Sequence, residues 1–161
     1  MFQVSKFVAR LRIVEGDRLD VYRDPVGIWT TAHGFNMEQP TAPEVCAKCG
    51  IDYDEAMALK GTRQPAITEE QAVCLTMSHM AKLLPEVRRA LPDFESYSDA
   101  RQLALMDVAW VGIGTFLGFH NMLAAVRAQN WPLAASELLN SHLAVQWGHR
   151  AQEDAQMLKE G

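Results

Sequence analysis

The stretch EGDRLDVYRDPVGIWTTAHG, residues 15–34, carries two carboxyl groups and a hydroxyl whose types suit acid–base chemistry: Glu15, Asp24 and Thr30, at steps of nine and six residues. Cleavage of a glycosidic bond uses a pair of carboxyl groups flanking that bond. One is kept protonated, by burial against apolar neighbours, and gives its proton to the leaving oxygen. The other stays ionised, where it offsets developing positive charge or helps place water. A hydroxyl close to both can hold that water. A plainer account of the same residues competes with this one. Acidic side chains are mostly solvated, Asp before Pro is good turn chemistry, and Glu15 at a helix end opposes the helix dipole.

The elements that must position these groups follow from pattern. Residues 6–14 read as a short helix with Ser5 as its N-cap and Phe7, Val8, Leu11 and Val14 on one face. Gly16 ends it. Residues 19–34 read as a hairpin turning at DPVG. Residues 35–67, with Pro40, Pro43, Gly50, Gly61 and Pro65, read as loop with one short helix near 53–60. Thr68 and Gln71 form a capping box that opens a long helix to about Ala90, with Pro85 as a candidate break. Its inward face carries Ala72, Leu75, Met80 and Leu83 or Leu84. Ser98 is positioned to cap a helix over 99–110 with Leu103, Met106 and Trp110 inward. GIGTFLG, residues 112–118, reads as a glycine-rich junction, and helices over 119–129, 132–140 and 148–159 complete the chain. The expected fold class is α+β, mainly α.

Composition narrows the function classes. The 161 residues suit one domain or two small lobes sharing a helix. No run of about 18 apolar residues exists, so no membrane span is expected. Charges interrupt the apolar stretch MFQVSKFVARLRIVEG, which therefore does not read as a secretory signal. A net charge of −5 without a basic stripe argues against a nucleic-acid partner. Three cysteines are too few for a disulfide framework.

The segment LRIVEGDRLDVYRDPVGIWTTAHG resembles the signature of phage-type lysozymes, the glycoside hydrolase family 24 muramidases of the T-even phage kind. Glu15, Gly16, Tyr22, Asp24, Gly27, Trp29, Thr30 and Gly34 carry the resemblance without a gap. AITEEQAVCL, RQLALMDVAWVGIGTFLGFHNML, NWPLAASELLNS and QWGHRA extend it in order along most of the chain, leaving 36–66 and 80–98 poorly anchored. The resemblance implies a lysozyme-like two-lobe fold in a single domain over 1–161. Its lobes would comprise roughly 15–67, and 1–14 with 91–161, linked by the helix 68–90. It implies hydrolysis of the β-1,4 bond between N-acetylmuramic acid and N-acetylglucosamine in peptidoglycan. Glu15 would be the general acid, Asp24 the second carboxylate, and Thr30 would help position water. It also implies that Arg150 lies near the acid and that Gln146 lines the cleft. His142 is a further binding candidate, and Trp110, at the end of its helix beside the glycine junction, is the tryptophan expected near a sugar. No metal or other cofactor is implied. Two positions depart from the family pattern: Ala32 stands where relatives have Gly, and Phe35 where they have His. Ala resists the positive φ that Gly accepts, so the local backbone is in question.

Other residues have blander explanations. By strand alternation His33 shares a face with Thr31, away from Thr30, Ala32 and Gly34, and a structural role is expected. Cys46 and Cys49 have zinc-knuckle spacing, but a structural zinc needs four ligands, and Cys74, His33 and His79 are only loose candidates. Reduced surface thiols or a small loop disulfide is the expectation. GIGTFLG lacks the spacing and the preceding strand of a dinucleotide loop.

Three functions compete. A muramidase uses both carboxyl groups. A lytic transglycosylase needs only the acid, which Asp24 and Thr30 argue against. A non-catalytic glycan-binding or virion module would have little use for all three residues. Positive charge would steer a diffusing enzyme to an anionic wall, and this chain lacks it. Delivery within a larger virion protein is therefore expected over release as a free endolysin. In either case the chain acts at the cell wall in the periplasm after residing in the virion or host cytoplasm, and as an isolated domain it is expected to be a monomer.

Overall fold

The computed structural model describes residues 1–161, and the chain falls into two compact units. One comprises Val8–Ala81; the other joins Met1–Phe7 to Lys82–Gly161. The fold is α+β and mainly helical, with one three-stranded antiparallel sheet.

The unit Val8–Ala81 holds most of helix α1 (Val4–Val14), strands β1 (Arg18–Arg23), β2 (Trp29–Ala32) and β3 (Phe35–Asn36), helices α2 (Ala42–Lys48) and α3 (Tyr53–Ala58), and the first half of α4 (Glu69–Ala90). The strands run in the order β1-β2-β3, with Tyr22 opposite Thr30 and Thr31 opposite Phe35. Its core gathers Val21, Phe35, Met37, Val45, Ile51, Ile67 and Leu75. Phe35 thus occupies the core, which accounts for an aromatic at that position. The loop before α4 is tied to the sheet by Gly61 N–H on Val21 O (2.8 Å) and Ala66 N–H on Leu19 O (2.8 Å). The expected capping box is present: Gln71 N–H donates to Thr68 Oγ1 (3.2 Å), and Thr68 N–H donates to Gln71 Oε1 (2.9 Å).

The other unit is built around α5 (Asp99–Trp110), capped by Ser98, which accepts from Arg101 N–H at 3.4 Å. Gln102, Leu105, Met106, Asp107 and Val108 are all buried, so α5 is enclosed on every side rather than along one stripe. Helices α6 (Ile113–Gly118), α7 (His120–Arg127), α8 (Trp131–Leu139), α9 (His142–Trp147) and α10 (His149–Glu160) follow. The chain's first residues belong here: Phe2 stacks near Phe7 and Phe94, both at 5.8 Å, and Lys6 pairs with Asp99 at 2.6 Å.

Several local expectations are corrected. Helix α1 begins at Val4, with Lys6 and Phe7 N–H groups on Gln3 O, so Ser5 lies in the first turn and is not the cap. Pro85 does not break α4: Leu83, Val87 and Leu91 are buried on both sides of it, and that burial outweighs the cost of about 3 kcal/mol that an interior proline imposes on a helix. The GIGTFLG junction between α5 and α7 is itself a short helix, Ile113–Gly118, around buried Phe116. Helices α2 and α9 and strand β3 lie where no element was expected.

Candidate active site

Helix α1 ends where Glu15 N–H donates to Leu11 O (2.8 Å). Gly16 then turns the chain at φ 79°, a conformation that costs glycine nothing and a residue with Cβ about 1 kcal/mol. Glu15 is half-buried at that helix end. Asp24 opens the hairpin turn and also organises it. Its Oδ1 accepts from Val26 N–H (3.0 Å) and Ile28 N–H (2.8 Å), while Gly27 N–H donates to Asp24 O (3.0 Å). These bonds fix the carboxylate rather than leaving it to sample rotamers. Thr30 is 3% exposed, and its hydroxyl donates to Ile28 O at 3.1 Å.

Tyr22, opposite Thr30 in the sheet, reports on both acids. Its phenol is pushed above the ordinary value first by burial and then by the negative charge of Glu15, with Asp24 and Asp20 adding to it and Arg18 opposing. Glu15 and Asp24 therefore both act on one phenol. Arg18 lies over that ring at 3.7 Å and is paired with Asp20 at 2.6 Å.

In the helical unit, Arg150 on α10 is clamped by Asp107 of α5. Its Nη2 donates to Asp107 Oδ1 (2.7 Å), its Nε to Oδ2 (3.2 Å), and its guanidinium lies 4.0 Å from the Trp147 ring. Asp107 is fully buried and Arg150 14% exposed, so this two-point bond holds a cation in one orientation. Gln146 is exposed on α9. Trp110 is half-buried, edge-on to Phe7 at 5.5 Å. His142 lines an open groove of about 520 Å³ together with Thr115, Phe119, His120, Glu137 and Asn140. Those five companions were not anticipated, because the groove is made where α6, α7, α8 and α9 meet and no spacing within one helix announces it.

Two further sequence readings change. His33 is not on a strand face: β2 ends at Ala32, which takes φ 53°, so alternation stops there and Thr31, Ala32 and His33 are all buried. Ala32 accepts the left-handed conformation that Gly holds elsewhere. Cys49 bonds to Cys74 rather than to Cys46, and Cys46 is a buried free thiol, so neither surface thiols nor a loop disulfide describes the cysteines. Cys49 ends α2 and Cys74 sits in the second turn of α4, and only folding brings them together. No group of three or more His, Cys, Asp or Glu residues could hold a metal ion.

The phage lysozyme family model matches residues 12–153, a span that begins before Glu15 and ends beyond Arg150. The chain belongs to the phage lysozyme family. Membership makes it a glycosidase of the lysozyme kind acting on peptidoglycan. No curated protein matches the chain. No helix is long and apolar enough to cross a membrane.

Proposed function

We propose that this chain is an N-acetylmuramidase that cleaves the β-1,4 bond between N-acetylmuramic acid and N-acetylglucosamine. Glu15 is its general acid, and Asp24 with Thr30 places the attacking water. The observation that carries this reading is the phage lysozyme family match over residues 12–153, a span that contains Glu15, Asp24 and Thr30 on one short segment. A proton donor at a helix end and a carboxylate fixed by two backbone N–H groups divide the labour that glycoside hydrolysis requires. Trp110, His142, Gln146 and Arg150 bind the glycan, and the groove beside His142, where Thr115, His120, Glu137 and Asn140 stand among apolar side chains, suits a sugar with hydrogen-bonding groups and apolar ring faces. The product decides between this and the transglycosylase reading. Mass spectrometry of muropeptides released from purified peptidoglycan is expected to give reducing ends; 1,6-anhydro ends would replace hydrolysis with ring closure, and no release would favour a binding module.

The same reading extends to delivery. A net charge of −5 gives no electrostatic attraction to an anionic wall, which favours presentation by a larger virion protein over a freely diffusing endolysin. The isolated domain then acts as a monomer. Lysis of outer-membrane-permeabilised Gram-negative cells is expected to change little between low and physiological salt. A steep fall with salt would reverse the preference.

A further inference from the structure

Asp17, His33 and Thr76 form one hydrogen-bonded chain inside the unit Val8–Ala81. His33 Nε2 lies 3.2 Å from Asp17 Oδ1, and Nδ1 lies 2.8 Å from Thr76 Oγ1. The order carboxylate, imidazole, hydroxyl is that of a nucleophile's relay. Here the hydroxyl belongs to a residue only 3% exposed within α4, closed to any substrate, so it performs no covalent chemistry. The chain of bonds holds position instead.

Proton counting fixes the tautomer. The Asp17 carboxylate can only accept, so Nε2 carries a hydrogen. In the neutral ring Nδ1 is then bare and takes its donor from the Thr76 hydroxyl. That hydroxyl also lies 3.0 Å from Ala72 O, the usual helical partner for a threonine, and it has one proton to give. When the ring is protonated, both ring nitrogens donate and the hydroxyl turns back to Ala72 O. One proton and one hydroxyl rotation separate two bonded states.

The charges around the ring come from three segments. Asp17, in the turn after α1, and Glu15, at the end of α1, favour the imidazolium, while Arg12 of α1 opposes it. Arg12 is itself 3.5 Å from Asp17 and 4.0 Å from Glu69 of α4. Burial outweighs the carboxylates and holds the His33 pKa below its ordinary value. His33 is therefore neutral at pH 7 and gains charge only on acidification.

We propose that His33 is a positioning residue for the general acid: it anchors Asp17, two residues beyond Glu15, to α4. This rests on Glu15 being the acid. Gly16, which turns the chain out of α1, alone separates the acid from the anchored Asp17, so the hold on Asp17 steadies the turn that carries Glu15. A cation beside a proton donor favours the form that has already lost its proton, so charging His33 weakens the donor.

The test begins with ring-nitrogen NMR of the wild-type chain. The Nε2–H tautomer at pH 7.5, titrating below the ordinary histidine range, is expected; the Nδ1–H tautomer overturns the proposal. Peptidoglycan turnover against pH is then compared for wild type, His33→Gln, Asp17→Ala and the double variant. Both single variants are expected to lose up to about tenfold in kcat at pH 7.5 with KM unchanged, through loosened placement of the acid. Both should also move the acid limb of the profile to lower pH. The double variant should be no worse than either single one, because both break the same chain. Asp17 is 36% exposed, so Asp17→Ala keeps the test open even where His33→Gln folds poorly. Wild-type turnover with unmoved profiles in both variants overturns this proposal alone. Absence of reducing-end products from the wild type overturns the role of Glu15, and the proposal with it.

Discussion

Reducing the Cys49–Cys74 bond should cost this protein much of its stability without touching its chemistry. The bond closes a loop of 25 residues that includes α3 and the segment leading into α4. Cross-linking over that separation removes about 3.5 kcal/mol of conformational freedom from the unfolded chain on the loop-entropy model. For a chain of this size that corresponds to about 7–14 °C in Tm. Calorimetry with and without a phosphine reductant measures it directly. Cys49→Ser, Cys74→Ser and the double variant should each reproduce the reduced protein's Tm, since all three remove one and the same bond. Cys46 supplies a control. It is buried, and burial pushes its thiol above the ordinary value, so the folded oxidised chain should react slowly with thiol reagents and show one thiol in denaturant. A Tm indifferent to reductant, or peptide mapping that joins Cys46 to Cys49, would refute this reasoning.

Asp107→Ala strands the Arg150 guanidinium in a largely buried site and should cost about 3 kcal/mol in urea unfolding; a loss below about 1 kcal/mol would mean that Trp147 and solvent replace the carboxylate. Ala32→Gly exchanges left-handed strain of about 1–2 kcal/mol against a buried methyl of about 0.8 kcal/mol and the greater unfolded-state freedom of Gly. The net change should stay within about 1 kcal/mol of zero, and a large loss by thermal melting would show that Ala32 is not strained. The depressed pKa of His33 makes stability pH-dependent with a definite sign. Below about pH 6.5 the unfolded chain takes up a proton that the folded chain refuses, so stability falls as pH drops toward the folded pKa and is regained on raising it. His33→Gln should flatten that part of the urea midpoint against pH.

Much of the fold was legible because its signals are local. The Thr68–Gln71 capping box, the Ser98 cap and the Asp-Pro-x-Gly turn each specify backbone within a few residues, and the structure contains all three. What stayed hidden depends on tertiary packing. Pro43 read as a loop residue, yet it sits in the first turn of α2, where its missing N–H costs nothing. GIGTFLG read only as a glycine-rich junction, and the short helix Ile113–Gly118 within it depends on the burial of Phe116. The CxxC spacing pointed inward to Cys46, whereas the real partner comes from another helix. Strand alternation failed at His33 because Ala32 turns left-handed one residue earlier. Glu15, Asp24 and Thr30 could be named from the sequence since they share one short segment, but the Asp17–His33–Thr76 chain joins that segment to α4 and had no sequence signature.

Glu15→Gln tests the central claim most directly, because it keeps the shape of the side chain and removes only the transferable proton. Release of reducing ends from purified peptidoglycan by wild type and by this variant, both shown to be folded by circular dichroism, is the measurement. Loss of a general acid is expected to slow turnover by about 100-fold or more. A folded Glu15→Gln protein that releases reducing ends at the wild-type rate would contradict the account, and would make the segment around Glu15 scaffold rather than catalyst.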